Sequence, residues 1–136
     1  MDMKTELTWH SEMYMTAEAS GITVNMDAKA EVGGQGKGQT PKELVLAGLA
    51  GCTGMDVIAI LKKMRALPSS FKIEIEADQT TDHPKVFSKI HIRYLVSGSD
   101  KEKVQKAVDL SQNQYCGVSA MLSKTATMTH EIVYTD

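Results

Sequence analysis

The chain has 136 residues and a mass of 14.9 kDa, with 42% apolar and 24% charged residues, a net charge of −2 and a pI near 6.1. That suits a single domain, residues 1–136, burying about two thirds of its unfolded surface; it excludes disorder and fibrous repeats, and the lack of a basic field argues against nucleic-acid partners. The longest apolar run, Leu44 to Cys52, falls short of the ~20 residues that span a bilayer, and Met1-Asp2-Met3-Lys4-Thr5-Glu6 contains no signal-peptide apolar region, so a cytoplasmic location without membrane contact is expected.

Residues 4–10 and 13–18 carry β-favouring side chains and are expected as strands. Residues 22–28 show the period of a half-buried strand, with Ile22, Val24, Met26 and Ala28 alternating against Thr23, Asn25 and Asp27. Gly33-Gly34-Gln35-Gly36-Lys37-Gly38 follows as a loop. It lacks the glycine spacing and Lys-Ser/Thr ending of a phosphate-binding loop. Thr40, Pro41 and Glu43 fit N-cap, N1 and N3 of a helix, a capping box with proline where its missing N–H is harmless. The helix body, Leu44 to Met64, is apolar nearly all round, which predicts a central, buried element.

Residues 71–78 alternate Phe71, Ile73, Ile75 and Ala77 with charged positions. Residues 86–96 do the same with Ile90, Ile92, Tyr94 and Val96 inward, so the two form an expected hairpin. Ser99 and Glu102 suggest a second capping box, opening a helix to about Tyr115 with Val104, Ala107, Val108 and Ser111 on its inner stripe. A helical turn at 118–123 and a strand at 127–135 complete an α+β order with a mainly antiparallel sheet.

Cys52 and Cys116 stand 64 positions apart, and composition alone leaves two readings open: inert buried thiols or a redox pair. Cys52 lies among Gly48, Gly51 and Gly54, whose recurrence suggests close approach of a backbone, a substrate or a second helix. Cys52 is about 18 Å of helix rise from the N-terminus, beyond the reach of its dipole, and Asp56, one turn on, disfavours a thiolate. Any activating cation comes from elsewhere, with Lys42, Arg65, Arg93 and Lys124 as candidates. The histidines His10, His83, His91 and His130 form no C-x-x-C or H-x₃-H pattern with the cysteines, so no metal or other cofactor is expected.

The run Thr40-Pro41-Lys42-Glu43-Leu44-Val45-Leu46-Ala47-Gly48-Leu49-Ala50-Gly51-Cys52 resembles the cysteine-bearing helix of the OsmC/Ohr family, the osmotically induced and organic hydroperoxide resistance proteins. Cys116-Gly117-Val118-Ser119 resembles that family's second cysteine site. The resemblance extends over nearly the whole chain, and Asp82-His83-Pro84 with Ser119 to Lys124 looks most like an uncharacterised OsmC-like subgroup. It implies an OsmC-like fold, an intertwined homodimer with two central helices, and sites at the dimer interface. It implies further that Cys52 attacks an organic hydroperoxide and Cys116 resolves the sulfenic acid to a disulfide, which a thiol reductant reopens. The family's active members also use an arginine from the N-terminal sheet and a glutamate directly after the helix proline. Here Lys42 follows Pro41, the glutamate comes one place later at Glu43, and no arginine precedes Arg65. The expected activity is therefore a cysteine-based peroxidase. The alternative is a non-peroxidatic dimer that binds a small apolar or electrophilic ligand at its interface.

Overall fold

Strand-forming residues at the N-terminus pair in a meander: β1 (Glu6–Ser11), β2 (Tyr14–Ala19) and β3 (Ile22–Met26), all antiparallel. The computed structural model describes residues 1–135 and divides into two compact units, Met1–Ala47 and Gly48 onward. In the first unit Leu7, Trp9, Ile22 and Val24 remain exposed, so the half-buried face expected for 22–28 is not covered within this unit.

The chain turns out of β3 at Asp27, which the alternating pattern had put on a wet face. Asp27 is instead only 2% exposed. Its carboxylate accepts hydrogen bonds from the backbone N–H groups of Ala28 (2.8 Å), Gln35 (3.1 Å) and Lys37 (3.2 Å), gathering the glycine loop around one anion. Two glycines are needed for this: a Cβ on Gly34 would overlap the Ala28 carbonyl oxygen, and one on Gly38 would come 2.5 Å from the Asn25 carbonyl carbon. The loop therefore binds its own carboxylate.

The N–H donors, Gln35 foremost, hold the Asp27 carboxyl below its ordinary value. A depressed folded-state pKa stabilises the fold above the unfolded value and is lost as pH falls through the folded one. Amide-exchange protection at Gln35 and Lys37 is thus expected to hold at neutral pH and to fall as pH drops below about 4, and Asp27→Asn is expected to flatten that dependence. NMR amide exchange across this range checks it; an unchanged profile in the variant would contradict it.

Helix α1 (Pro41–Lys63) opens on the expected capping box: Thr40 N–H donates to Glu43 Oε1 (2.9 Å) and Glu43 N–H to Thr40 Oγ1 (3.3 Å). From Gly48 onward α1 belongs to the second unit, with β4 (Ser70–Gln79), β5 (Phe87–Ser97), α2 (Lys101–Leu110), a π-helical turn (Ser111–Tyr115), α3 (Gly117–Leu122) and β6 (Thr127–Tyr134). β4 and β5 are the expected antiparallel hairpin. β6 pairs with β5 in parallel, because the chain crosses over through α2, the π turn and α3 before returning. The described residues thus form two three-stranded sheets, with three of the four strand pairings antiparallel.

Ile90, Ile92, Tyr94 and Val96 of β5 are fully buried, with Val104, Ala107 and Val108 of α2. The N-cap of α2 is Asp100, which accepts from Lys103 N–H (3.0 Å), and not Ser99, whose hydroxyl donates to the Ala66 carbonyl. Gly98, with φ +71°, turns the chain two residues before this cap, so the helix starts one residue later than a Ser99 cap would set it.

α1 departs further from expectation. Only Leu49, Thr53, Val57 and Leu61, one residue per turn, are buried, while Val45 and Met55 are exposed. One chain covers one line of a helix that is apolar nearly all round. By length and composition α1 could cross a membrane, with a mean hydropathy of 2.1 over an 18-residue window. Its Thr53 and Asp56 are nevertheless hydrogen-bonded to Tyr94 and Ser111, as befits the central helix of a folded unit.

Candidate functional site

Cys52 and Asp56 lie one turn apart on α1 and so share a face. Cys116 sits where the π turn ends and α3 begins. The wide turn arises because Cys116 N–H bonds five residues back to the Ser111 carbonyl (2.8 Å). These elements bring Cys52 Sγ, Cys116 Sγ and an Asp56 carboxylate oxygen within 4.8 Å of one another. Both cysteines are reduced, Cys52 half-buried and Cys116 buried. A disulfide of about 2.05 Å requires the sulfurs to close by less than about 3 Å.

Cys116 is the N-cap of α3, and its sulfur accepts from Ser119 N–H (3.3 Å). Burial pushes its thiol up; the Ser119 hydroxyl and N–H oppose this, and neighbouring Cys52 adds to the rise. No cation is among these principal influences. Ser119 Oγ is itself buried, 3% of the residue being exposed, and has no hydrogen-bond partner of good geometry among the described residues.

Beneath the sulfurs runs a buried polar network. Thr53 Oγ1 bonds Tyr94 OH (2.6 Å) and Ser111 Oγ (2.7 Å); Gln112 Nε2 donates to both Tyr94 OH (2.8 Å) and Thr53 Oγ1 (3.2 Å). Ser111 Oγ donates to Asp56 Oδ2 (3.0 Å), joining the network to the cysteine cluster. Burial, foremost, pushes the Tyr94 hydroxyl up, against the hydrogen bonds from Thr53 and Gln112.

The structure thus brings together Cys52, Asp56 and Cys116, and adds Thr53, Tyr94, Ser111, Gln112 and Ser119. Thr53 had one signal in the sequence: a polar residue four places from both Leu49 and Val57 in an apolar stripe. Arg93 is removed from the candidate activators. It lies on the opposite face of β5 from Tyr94, where Nη1 pairs with Glu74 (3.2 Å) and Nε with Glu131 (3.5 Å). Arg65 is exposed beyond the end of α1, more than about 16 Å of helix rise from Cys52. Lys124 is exposed beyond α3. Of the histidines, His91 hydrogen-bonds Thr129 (2.7 Å) and Glu131 (2.6 Å), and the His130 ring packs edge-on to Tyr94.

A family model described as OsmC-like protein matches residues 34–131. Protein YhfA of Escherichia coli strain K12 is 33% identical over 131 residues, covering 94% of this chain and 95% of the relative. An OsmC-like protein from Mycoplasma pneumoniae has a TM-score of 0.84 at 14% identity, over 100% of both chains. An organic hydroperoxide resistance protein from Legionella pneumophila has a TM-score of 0.74 at 14% identity, over 98% of this chain and 97% of the other. At these identities the two structures establish the shared fold.

Proposed function

Because the chain belongs to the OsmC-like protein family, we propose that it is a single-domain, thiol-dependent peroxidase that reduces organic hydroperoxides in the cytoplasm. One observation carries this reading: two cysteines 64 positions apart are folded to within 4.8 Å, sulfur to sulfur. Cys52, the more accessible of the two, is the nucleophile. Its thiolate attacks the O–O bond, taking one oxygen as sulfenic acid, and the leaving alkoxide is protonated to an alcohol. The Cys116 thiol then displaces the sulfenic hydroxyl as water and leaves a disulfide. An external dithiol reduces that bond. No arginine precedes Arg65, and Glu43 is engaged as the cap of α1, so the family's activating pair has no counterpart at those positions.

The test is cumene hydroperoxide in slight excess over reduced protein, followed by thiol alkylation and intact mass. Loss of two hydrogens, with both thiols blocked to alkylation within seconds, supports the proposal. Two alkylated thiols with unconsumed peroxide overturn it. They would favour the second reading, a carrier of small apolar ligands. That reading is motivated by the apolar groove of Ala50, Gly54, Met55, Ile58, Phe71 and Ile73. Native mass spectrometry showing a co-purified ligand would support it.

We propose also that the protein is a homodimer packed through α1. A Cβ on Gly48 or Gly51 would meet no atom within 4 Å beyond its chain neighbours and the helix's own backbone, so no packing among the described residues explains two helix glycines that cost about 1 kcal/mol each. Gly54, by contrast, is packed against Ile73 and Phe71. Gly51→Leu is expected to shift the protein from dimer to monomer in analytical ultracentrifugation with its helical circular dichroism retained. A wild-type monomer of 14.9 kDa would contradict the proposal.

A further inference from the structure

The cysteine cluster has a donor set whose chemistry exceeds that of a redox pair. It joins two sulfurs and one carboxylate, the ligand types that hold zinc. In a tetrahedral site with Zn–S near 2.3 Å and Zn–O near 2.1 Å, ligand atoms stand roughly 3.6–3.8 Å apart. Here all three donors already lie within 4.8 Å of one another, so closing on an ion needs side-chain adjustments of about an ångström. Asp56 is braced for the purpose: Ser111 Oγ holds Oδ2 at 3.0 Å, Thr53 holds Ser111, and Tyr94 and Gln112 hold Thr53 in turn. Such outer contacts orient metal ligands. A second observation points into the same place. Ser119 Oγ is buried, belongs to the residue whose N–H bonds the Cys116 sulfur at 3.3 Å, and has no hydrogen-bond partner of good geometry among the described residues.

We propose that the reduced protein binds one Zn²⁺ per chain through Cys52 Sγ, Cys116 Sγ and a carboxylate oxygen of Asp56. The fourth position takes a water that hydrogen-bonds the Ser119 hydroxyl. Binding exchanges two thiol protons for the ion: both sulfurs become thiolates, the protons pass to solvent, and no electrons move. The site stands apart from the peroxide reading, since it needs two thiols and no oxidant. Where both hold, metal and disulfide are mutually exclusive states of the same sulfurs. No sequence pattern announced the site, because its ligands come from one turn of α1 and from a crossover 60 residues downstream of Asp56.

The test uses the full chain, reduced with a phosphine, desalted without oxygen and never exposed to peroxide. Co²⁺ is titrated first as a spectroscopic stand-in, then displaced by Zn²⁺ against a chromophoric competitor. Expected are intense tetrahedral d–d bands, a sulfur-to-cobalt charge-transfer band and saturation at one ion per chain. Asp56→Asn should weaken Zn²⁺ binding by at least ~10-fold. Cys116→Ser should roughly halve the charge-transfer intensity; if that buried variant does not fold, Cys52→Ser at the half-buried position serves instead. A weak octahedral spectrum overturns the proposal. So does Zn²⁺ affinity that is the same in the wild type, the Asp56 variant and the cysteine variant, which would place the ion on surface histidines. Because no peroxide is present, failure here leaves the peroxidase proposal standing, and failure of that assay leaves this site intact.

Discussion

Cys52→Ser is expected to lower the rate of organic hydroperoxide reduction by at least ~10³-fold, the scale on which loss of a nucleophile is felt. A serine hydroxyl in this setting stays protonated. It has neither the polarisable lone pair nor the accessible anion that lets sulfur attack an O–O bond. The partner variant separates the two roles. Cys116→Ser should consume about one equivalent of peroxide per oxygen atom gained and then stall, with Cys52 heavier by one oxygen atom, or by two where a second equivalent is consumed, because no thiol within 4.8 Å remains to close the bond. Stopped-flow peroxide consumption and intact mass read both. Undiminished turnover in Cys52→Ser would remove this cysteine from the mechanism, and continued multiple turnover in Cys116→Ser would remove Cys116 as the resolving thiol.

The largest stability effect is expected at Tyr94. It is fully buried, packs its ring near Phe71 and His130, and anchors the hydroxyl network through Thr53 and Gln112. Tyr94→Ala empties a ring-sized volume and should cost about 3–5 kcal/mol, a large share of the roughly 5–15 kcal/mol typical of a folded domain. Tyr94→Phe keeps the ring and removes one oxygen. It leaves Gln112 Nε2 with Thr53 Oγ1 as its remaining partner at 3.2 Å, and should cost about 1–3 kcal/mol. Urea unfolding with an unchanged m-value measures both. Equal losses would show that the hydroxyl, not the ring, carries the effect.

What the sequence made legible was local. Thr40, Pro41 and Glu43 announce the start of α1 because a capping box closes within four residues, and it forms as read. The stripe Val104, Ala107, Val108 and Ser111 is buried as its helical spacing required. Ser99 misled by one place because Asp100 beside it is an equally good cap, and the Ser99 hydroxyl is instead engaged with the Ala66 carbonyl. Asp27 misled because alternation assigns faces and is blind to a carboxylate that turns inward to collect three N–H groups. In the site, Asp56 was legible as a neighbour of Cys52 one turn away. The closeness of Cys116, and the network of Thr53, Tyr94 and Ser111, were not, since these residues come from α1, β5 and the π turn and meet only in the tertiary fold.

The parallel pairing of β6 with β5 also sets an order of assembly. A hairpin such as β4–β5 closes across a short connection and forms early, whereas a parallel partner must wait for its whole crossover to be laid down. That crossover is the segment that carries Cys116 to Cys52. During synthesis the β4–β5 hairpin can therefore fold against α1 while Cys52 has as yet no companion, and the two sulfurs meet only when nearly all of the chain is available. A nascent chain truncated after β5, before Cys116, should accordingly display Cys52 as a solitary thiol, open to mixed disulfides with small cellular thiols.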